Sequence, residues 1–306
     1  MANYNYSPFL KQPSGVSIDH IDIDSRFILD PLDKIVQFQK KSLIDIPLPK
    51  DITLMTLRIA SFDEQLITLY CLIPKNWINN RILFHCHGGG FLLPMHAACL
   101  SMGCTFARLC QTMVILPDYR TAIHHPYPIS LNDCYCGYTY CDVFFDLSNS
   151  IISGDSAGGC LAISLNRKLN DTGLLKSNAN LLLYPVTDNN QDYESIQAYK
   201  RAEVWNANCN KAMWSIYCDN TQTDAYTIPM NIIDFTHFKD TYIEVCEMDI
   251  LKDQGLAFAN KLKCNGINTI TQCIPGAYHA YDSDIDNPFV KTIYYNRAQW
   301  LLKYFN

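Results

Sequence analysis

Asn149-Ser150-Ile151-Ile152-Ser153-Gly154-Asp155-Ser156-Ala157-Gly158-Gly159 is the stretch whose reading decides the fold. A short apolar, β-branched run feeds a G-x-S-x-G sequence, and a helix-compatible segment from Cys160 to Lys168 follows. Strand, sharp turn and helix are the context in which that pattern presents a nucleophilic serine. The turn strains the serine backbone and lifts its hydroxyl clear of the sheet. Glycine on both sides avoids a Cβ that would meet the neighbouring strand and helix. Taken alone, the pattern equally describes a glycine-rich loop with an incidental serine, so its partners must be sought elsewhere in the chain.

A serine hydroxyl is a poor nucleophile until an imidazole takes its proton, and that imidazole needs a carboxylate to hold its tautomer. In a sheet of this kind the expected chain order is Ser, then Asp or Glu, then His, each on a loop after a strand. Two later strands fit. Thr241 to Glu247 leads into Asp249, and Thr269 to Ile274 leads into Pro275-Gly276-Ala277-Tyr278-His279. His279 is the expected base. Asp249 is favoured over Glu247, which is still close to the strand, and over Asp253, which is placed to cap the next helix. The negative oxygen formed in acyl transfer also needs N–H donors. A glycine run after a strand, His87-Gly88-Gly89-Gly90, offers them without side chains in the way. Gly88, Gly89 and Ala157 are the expected donors, and His87 is expected to hold the loop rather than to react.

With 306 residues, 48% hydrophobic and 18% charged, the chain is long enough for one large α/β domain or two small ones. A net charge of −6 with no basic stripe argues against a nucleic-acid partner. The fourteen cysteines include no C-x-x-C and no metal-ligand spacing. Most read as reduced, buried thiols of a reducing compartment, Cys71, Cys86, Cys160, Cys246 and Cys273 among them. The polar stretch Met1 to Ser17 lacks the plan of a signal peptide, and no run approaches the ~20 apolar residues that span a bilayer. The expectation is a cytoplasmic protein without stable membrane insertion, although export by a signal-less route would leave the same sequence. Neither a metal nor an organic cofactor is expected, and monomer and homodimer both fit.

Beyond the elbow the chain alternates. Two β-rich runs from Ile52 to Ile73 flank a turn at Ser61-Phe62-Asp63-Glu64. Strands at 81–86, 113–116, 180–184, 241–247 and 269–274 are separated by helices at 97–109, 133–145, 254–263 and, after the last strand, 289–304. Such alternation predicts a mostly parallel sheet covered on both faces. Residues 1–50 show loose helical spacing at Phe27, Ile28, Leu32, Ile35, Val36, Phe38 and Leu43. Residues 189–225 are polar and interrupt the alternation as a helical insertion.

With these residues in hand, the chain resembles the hormone-sensitive-lipase family of α/β-hydrolases. The motifs are His87-Gly88-Gly89-Gly90-Phe91, Asp118-Tyr119-Arg120 with His125-Pro126-Tyr127-Pro128, Gly154 to Gly159, Leu183-Tyr184-Pro185, Asp249-Ile250-Leu251-Lys252-Asp253 and Gly276 to His279. They run in the family's order over residues 50–306. The resemblance implies an α/β-hydrolase fold with Ser156 as nucleophile, His279 as base, Asp249 as its orienting acid, and Gly88, Gly89 and Ala157 as oxyanion donors. It also implies a helical cap, built from residues 1–50 and the insertion at 189–225, on a catalytic domain of residues 51–306. Ala122-Ile123-His124 stands where the family has Ala-Pro-Glu, which removes one partner of Arg120, and Ile250 replaces a proline.

The activity implied is carboxylester hydrolysis of small to medium esters through an acyl-enzyme. An amidase or deacetylase with the same triad, or a small-molecule receptor that has abandoned catalysis, are the alternatives. Phe91, Leu92, Leu93, Trp205 and Trp214 are candidates for an apolar acyl pocket, with core packing the stronger reading of each.

Overall fold

Strands buried on both faces cannot alternate polar with apolar residues; they read as continuous apolar runs. Three such runs form the centre of the sheet in the computed structural model, which describes residues 4–11, 43, 47–218 and 223–305. Strands β3 (Ile82–Cys86), β5 (Ser150–Asp155) and β6 (Ala179–Leu183) are buried along almost their whole length. Around them lie β1 (Ile52–Ala60), β2 (Leu66–Pro74), β4 (Met113–Asp118), β7 (Asp240–Cys246) and β8 (Thr269–Ile274). The order across the single eight-stranded sheet is β1-β2-β4-β3-β5-β6-β7-β8. Only β2 runs antiparallel to its neighbours; every pairing from β4 onward is parallel.

Helices cover both faces, and successive strand residues feed opposite layers, as a period of two requires. Phe84, Ile115, Ile152, Leu182 and Ile243 pack with α2 (Ile129–Phe144), α3 (Ala157–Asp171) and α6 (Lys252–Cys264). Leu83, Val114, Ile151, Leu181 and Tyr242 pack with α1 (Ala97–Cys110) and α7 (Pro288–Leu301). Between β6 and β7 the chain adds α4 (Glu194–Ala198) and α5 (Ala207–Cys218), which fall within the insertion read at 189–225. The α/β-hydrolase fold expected from the sequence is the fold found.

Several boundaries differ from expectation. Helix α2 begins at Ile129 rather than Asp133, because Asp133 turns inward instead of opening the helix. Its buried carboxylate accepts from Ser61 Oγ at 2.5 Å and from Arg120 N and Nε, both at 2.9 Å. Helix α6 begins at Lys252 with Leu251 at its N-cap, so Asp253 does not cap it. The Asp253 carboxylate instead accepts the N–H of Ser195 on α4 at 2.7 Å. The apolar positions at 27, 28, 32, 35, 36 and 38 lie outside the described residues. No disulfide joins any of the fourteen cysteines, and ten are buried; Cys273, expected in the core, is exposed on the edge strand β8. Among the described residues no helix is long and apolar enough to cross a membrane.

Parallel strands end together, and this sheet brings four loops to one end: those after β3, β5, β7 and β8. They carry the glycine run, Ser156, Asp249 and His279 respectively.

Candidate active site

Ser156 sits between β5 and α3 with φ 53° and ψ −121°, a backbone region that side-chain-bearing residues rarely occupy. The turn is held on both sides of the peptide. Ser156 N–H donates to Leu183 O, and Val186 N–H donates to Ser156 O, each at 2.9 Å. Gly158 is required by close approach, since a Cβ there would overlap the carbonyls of Cys86 and His87. Helix α3 therefore lies directly against the end of β3, and the serine hydroxyl is fixed beside the loop that β3 feeds.

The Ser156 Oγ lies 2.9 Å from His279 Nε2, and His279 Nδ1 lies 2.6 Å from Asp249 Oδ2. A carboxylate only accepts, so Nδ1 carries the proton and Nε2 presents its lone pair to the serine O–H. Asp249 is held in turn by the N–H of Leu251, which donates to its Oδ1 at 3.0 Å. Burial of His279 opposes its protonation, but the charge and hydrogen bond of Asp249 outweigh it, with Asp155 and Asp282 adding to them. The imidazole is thereby held above its ordinary value of 6.5. Glu247, the first rival to Asp249, accepts Gly276 N–H at 2.7 Å and so braces the turn ahead of His279.

The glycine loop departs from expectation at one position. Gly88 N–H is already donated to Asp155 Oδ1 at 2.8 Å, so it is not an available donor for a reacting oxygen. A Cβ at Gly88 would overlap the same carboxylate. No acceptor among the described residues takes the N–H of Gly89, Gly90 or Ala157. Asp155 also accepts from His85 Nε2 at 3.0 Å, and His85 Nδ1 faces Ser153 Oγ at 2.9 Å. Burial opposes a charge on Asp155, yet the His85 contact keeps its carboxyl below the usual range. His87 is fully buried, bonds Gly88 O through Nδ1 at 2.7 Å and stacks on Tyr119 at 4.2 Å. Burial pushes its pKa down to about 4, so it stays neutral and braces the loop.

The pocket candidates separate. Phe91 is fully buried, stacked on Tyr217 at 3.7 Å and 6.2 Å from Trp214. Leu92 and Trp214 are also buried, and Leu93 packs beside them. Trp205 is different. Its ring lies 6.1 Å from that of His279, and so close to Gly90 that a Cβ there would meet it at 2.7 Å. It therefore stands over both His279 and the glycine loop.

Residues 4–11 reach the same place. Ser7 N–H donates to Gly276 O at 2.9 Å, Tyr6 packs edge-on to Tyr278 at 5.4 Å, and Tyr4 packs edge-on to Tyr199 after α4 at 5.5 Å. Sequence reasoning missed Gly90 and Asp155. Their signals were the third glycine of the run and the polar residue inside G-x-S-x-G. Tyr184 was read only as part of the Leu183-Tyr184-Pro185 motif, with no place beside the histidine; its ring meets that of His279 edge-on at 5.1 Å.

A strained serine after the fifth strand thus meets a histidine and an aspartate delivered by two later strands, at one end of a doubly covered sheet. Residues 83–283 match the sequence model of a family described as the alpha/beta hydrolase fold, and the chain belongs to that family. It is 30% identical over 236 residues to lipase 2 of Moraxella sp. strain TA144, covering 64% of this chain and 53% of the lipase. The matched part thus spans about half the length of that relative. Among solved structures, esterase LipW from Mycobacterium marinum superposes with a TM-score of 0.83 at 21% identity, covering 93% of this chain and 92% of LipW. An esterase from the bacterial hormone-sensitive lipase family superposes with a TM-score of 0.81 at 20% identity, covering 90% and 92%. The resemblance read in the sequence thus extends to the fold of that group.

Proposed function

We propose that this chain is a serine carboxylesterase acting on small to medium esters through an acyl-enzyme. One observation carries the reading: the unbroken line Ser156 Oγ, His279, Asp249, at 2.9 and 2.6 Å, in a buried site. Ser156 Oγ attacks the ester carbonyl carbon as its proton passes to His279 Nε2. Negative charge then gathers on the carbonyl oxygen, which the N–H groups of Gly89, Gly90 and Ala157 receive. Collapse breaks the bond to the alcohol, which leaves with the proton from His279. Water, deprotonated by the same imidazole, attacks the acyl-serine, and the acid departs as Ser156 recovers its proton. The similarity to proteins named as a lipase and esterases supports this reaction class.

In this reading Gly88 acts through Asp155, which takes its N–H and so sets the direction of the two N–H groups that follow. In the insertion read at 189–225, the described residues 189–218 and 223–225 form the cap. Their contact with residues 4–11 through Tyr199 and Tyr4 supports an N-terminal contribution to it. Trp205 closes the pocket over the base, while Phe91, fully buried, packs behind it against Tyr217 and Trp214. The test is a series of p-nitrophenyl esters of increasing acyl length, with Ser156→Ala as control. The expected outcome is turnover, fastest with short acyl chains and abolished by Ser156→Ala. No turnover of any ester, with binding retained, would instead favour a receptor.

A further inference from the structure

Arg297 on α7 is fully buried, together with two carboxylates, Glu244 on β7 and Asp282. Arg297 Nε donates to Glu244 Oε2 at 3.0 Å, Nη2 to Glu244 Oε1, and Nη1 to Asp282 Oδ2 at 2.6 Å. Its guanidinium lies 4.9 Å from the Tyr294 ring centroid. Removing three charged groups from water is costly, and apolar residues often fill such space without loss of stability. The arrangement therefore calls for a purpose beyond packing.

Its position supplies one. Asp282 and Tyr281 follow His279 directly in the chain, after Ala280 in the left-handed conformation. Both are tied to the buried cluster, Asp282 through Arg297 Nη1 and Tyr281 through its O–H to Glu244 Oε1 at 2.9 Å. Tyr184 donates its O–H to Asp282 Oδ1 at 2.7 Å, and its N–H to Glu244 O at 2.6 Å. The Tyr184 ring then meets the His279 imidazole edge-on. The cluster so grips His279 twice, along the chain through residues 280–282 and across space through the Tyr184 ring. With one guanidinium for two carboxylates it also leaves negative charge behind the base. The carboxylates whose charge acts on the imidazole are Asp249, which bonds it, and the more distant Asp155 and Asp282, the last lying beyond the Tyr184 ring and held by Arg297.

We infer that Arg297, Asp282 and Tyr184 are positioning residues for His279, setting the imidazole in line with Ser156 Oγ. The charge of Asp282, beyond the Tyr184 ring, adds to that of Asp249 in favouring the imidazolium. This rests on the reading of His279 as the general base. Misplacing a reacting group by about 1 Å can cost on the order of 100-fold. Tyr184→Phe keeps the ring and deletes the tether. It should lower kcat by roughly 10- to 100-fold with KM nearly unchanged and folding, by circular dichroism, intact. Asp282→Asn should move the titration of His279 to lower pH, read from the Nδ1 proton resonance shared with Asp249 and from the acid limb of kcat/KM. Wild-type kcat in Tyr184→Phe, or an unmoved titration in a folded Asp282→Asn, overturns the inference; should Asp282→Asn fail to fold, Tyr184→Phe decides alone. The resonance needs no turnover. A wild-type protein inert toward every ester would sink the hydrolase reading, whereas an active one with unmoved variants sinks this inference only.

Discussion

Ser156 owes any reactivity to what stands around it, since an aliphatic hydroxyl is not a nucleophile at neutral pH without a base. In the proposed mechanism His279 acts only when its Nε2 is free of a proton, and Asp249, overcoming the effect of burial, holds the imidazole above its ordinary value. The rate should therefore rise with pH as His279 deprotonates, and the midpoint of kcat/KM should lie above 6.5. Asp249→Asn should move that midpoint to lower pH and reduce kcat by about 10⁴-fold, as loss of the correct tautomer does elsewhere; a pH–rate profile of both proteins checks this. Gly88→Ala addresses the oxyanion loop. The new Cβ would displace the Asp155 carboxylate and turn the following N–H groups away, lowering kcat by about 10²- to 10³-fold in steady-state assays. The serine, histidine and aspartate were legible because each follows a strand at a predictable place. Which glycine N–H groups remain open was not. Three successive glycines look alike in one dimension, and only the reach of Asp155 back to Gly88 distinguishes them.

Among the elements, the β1–β2 hairpin gives the clearest instance of structure replacing a missing residue. The sequence departs from the family where a glutamate would meet Arg120, leaving that side chain short of a partner. Asp63, from the hairpin turn, and Asp133, from α2, take it instead: Arg120 Nη1 meets Asp63 Oδ2 and Nη2 meets Asp133 Oδ1, each at 2.7 Å. These partners are distant in sequence, so no local pattern announced them. Asp133 is completely buried. Asp133→Ala would leave Ser61 Oγ and the Arg120 backbone N–H without their acceptor, while Asp63 still pairs the guanidinium, and should destabilise the fold by about 1–3 kcal/mol, measured by urea unfolding. The same inward turn of Asp133 explains why the start of α2 was misread: a polar residue that looks like a helix opening is a buried acceptor. Asp253 repeats the lesson, since its carboxylate holds α4 rather than capping α6.

At the scale of the whole molecule, the parallel sheet was legible from the alternation of strands and helices, because strands covered on both faces read as near-continuous apolar runs. The insertion at 189–225 was visible only as a break in that rhythm, and nothing in its composition revealed that Trp205 comes to lie over His279. The thiols follow the layers. Burial pushes Cys71 and Cys110 up to about 12, whereas Cys264 and Cys273 are exposed. Maleimide should label those two first in the native protein, and the ten buried cysteines only after denaturation, as peptide mapping would show. In the proposed mechanism, loops from separate strands meet so that one serine forms a covalent acyl intermediate. Mass spectrometry of the protein quenched during turnover of a slowly deacylating ester tests it most directly. The account predicts an acyl adduct on the peptide containing Ser156, absent from Ser156→Ala. An adduct on another residue, or ester hydrolysis that persists in Ser156→Ala, would contradict it.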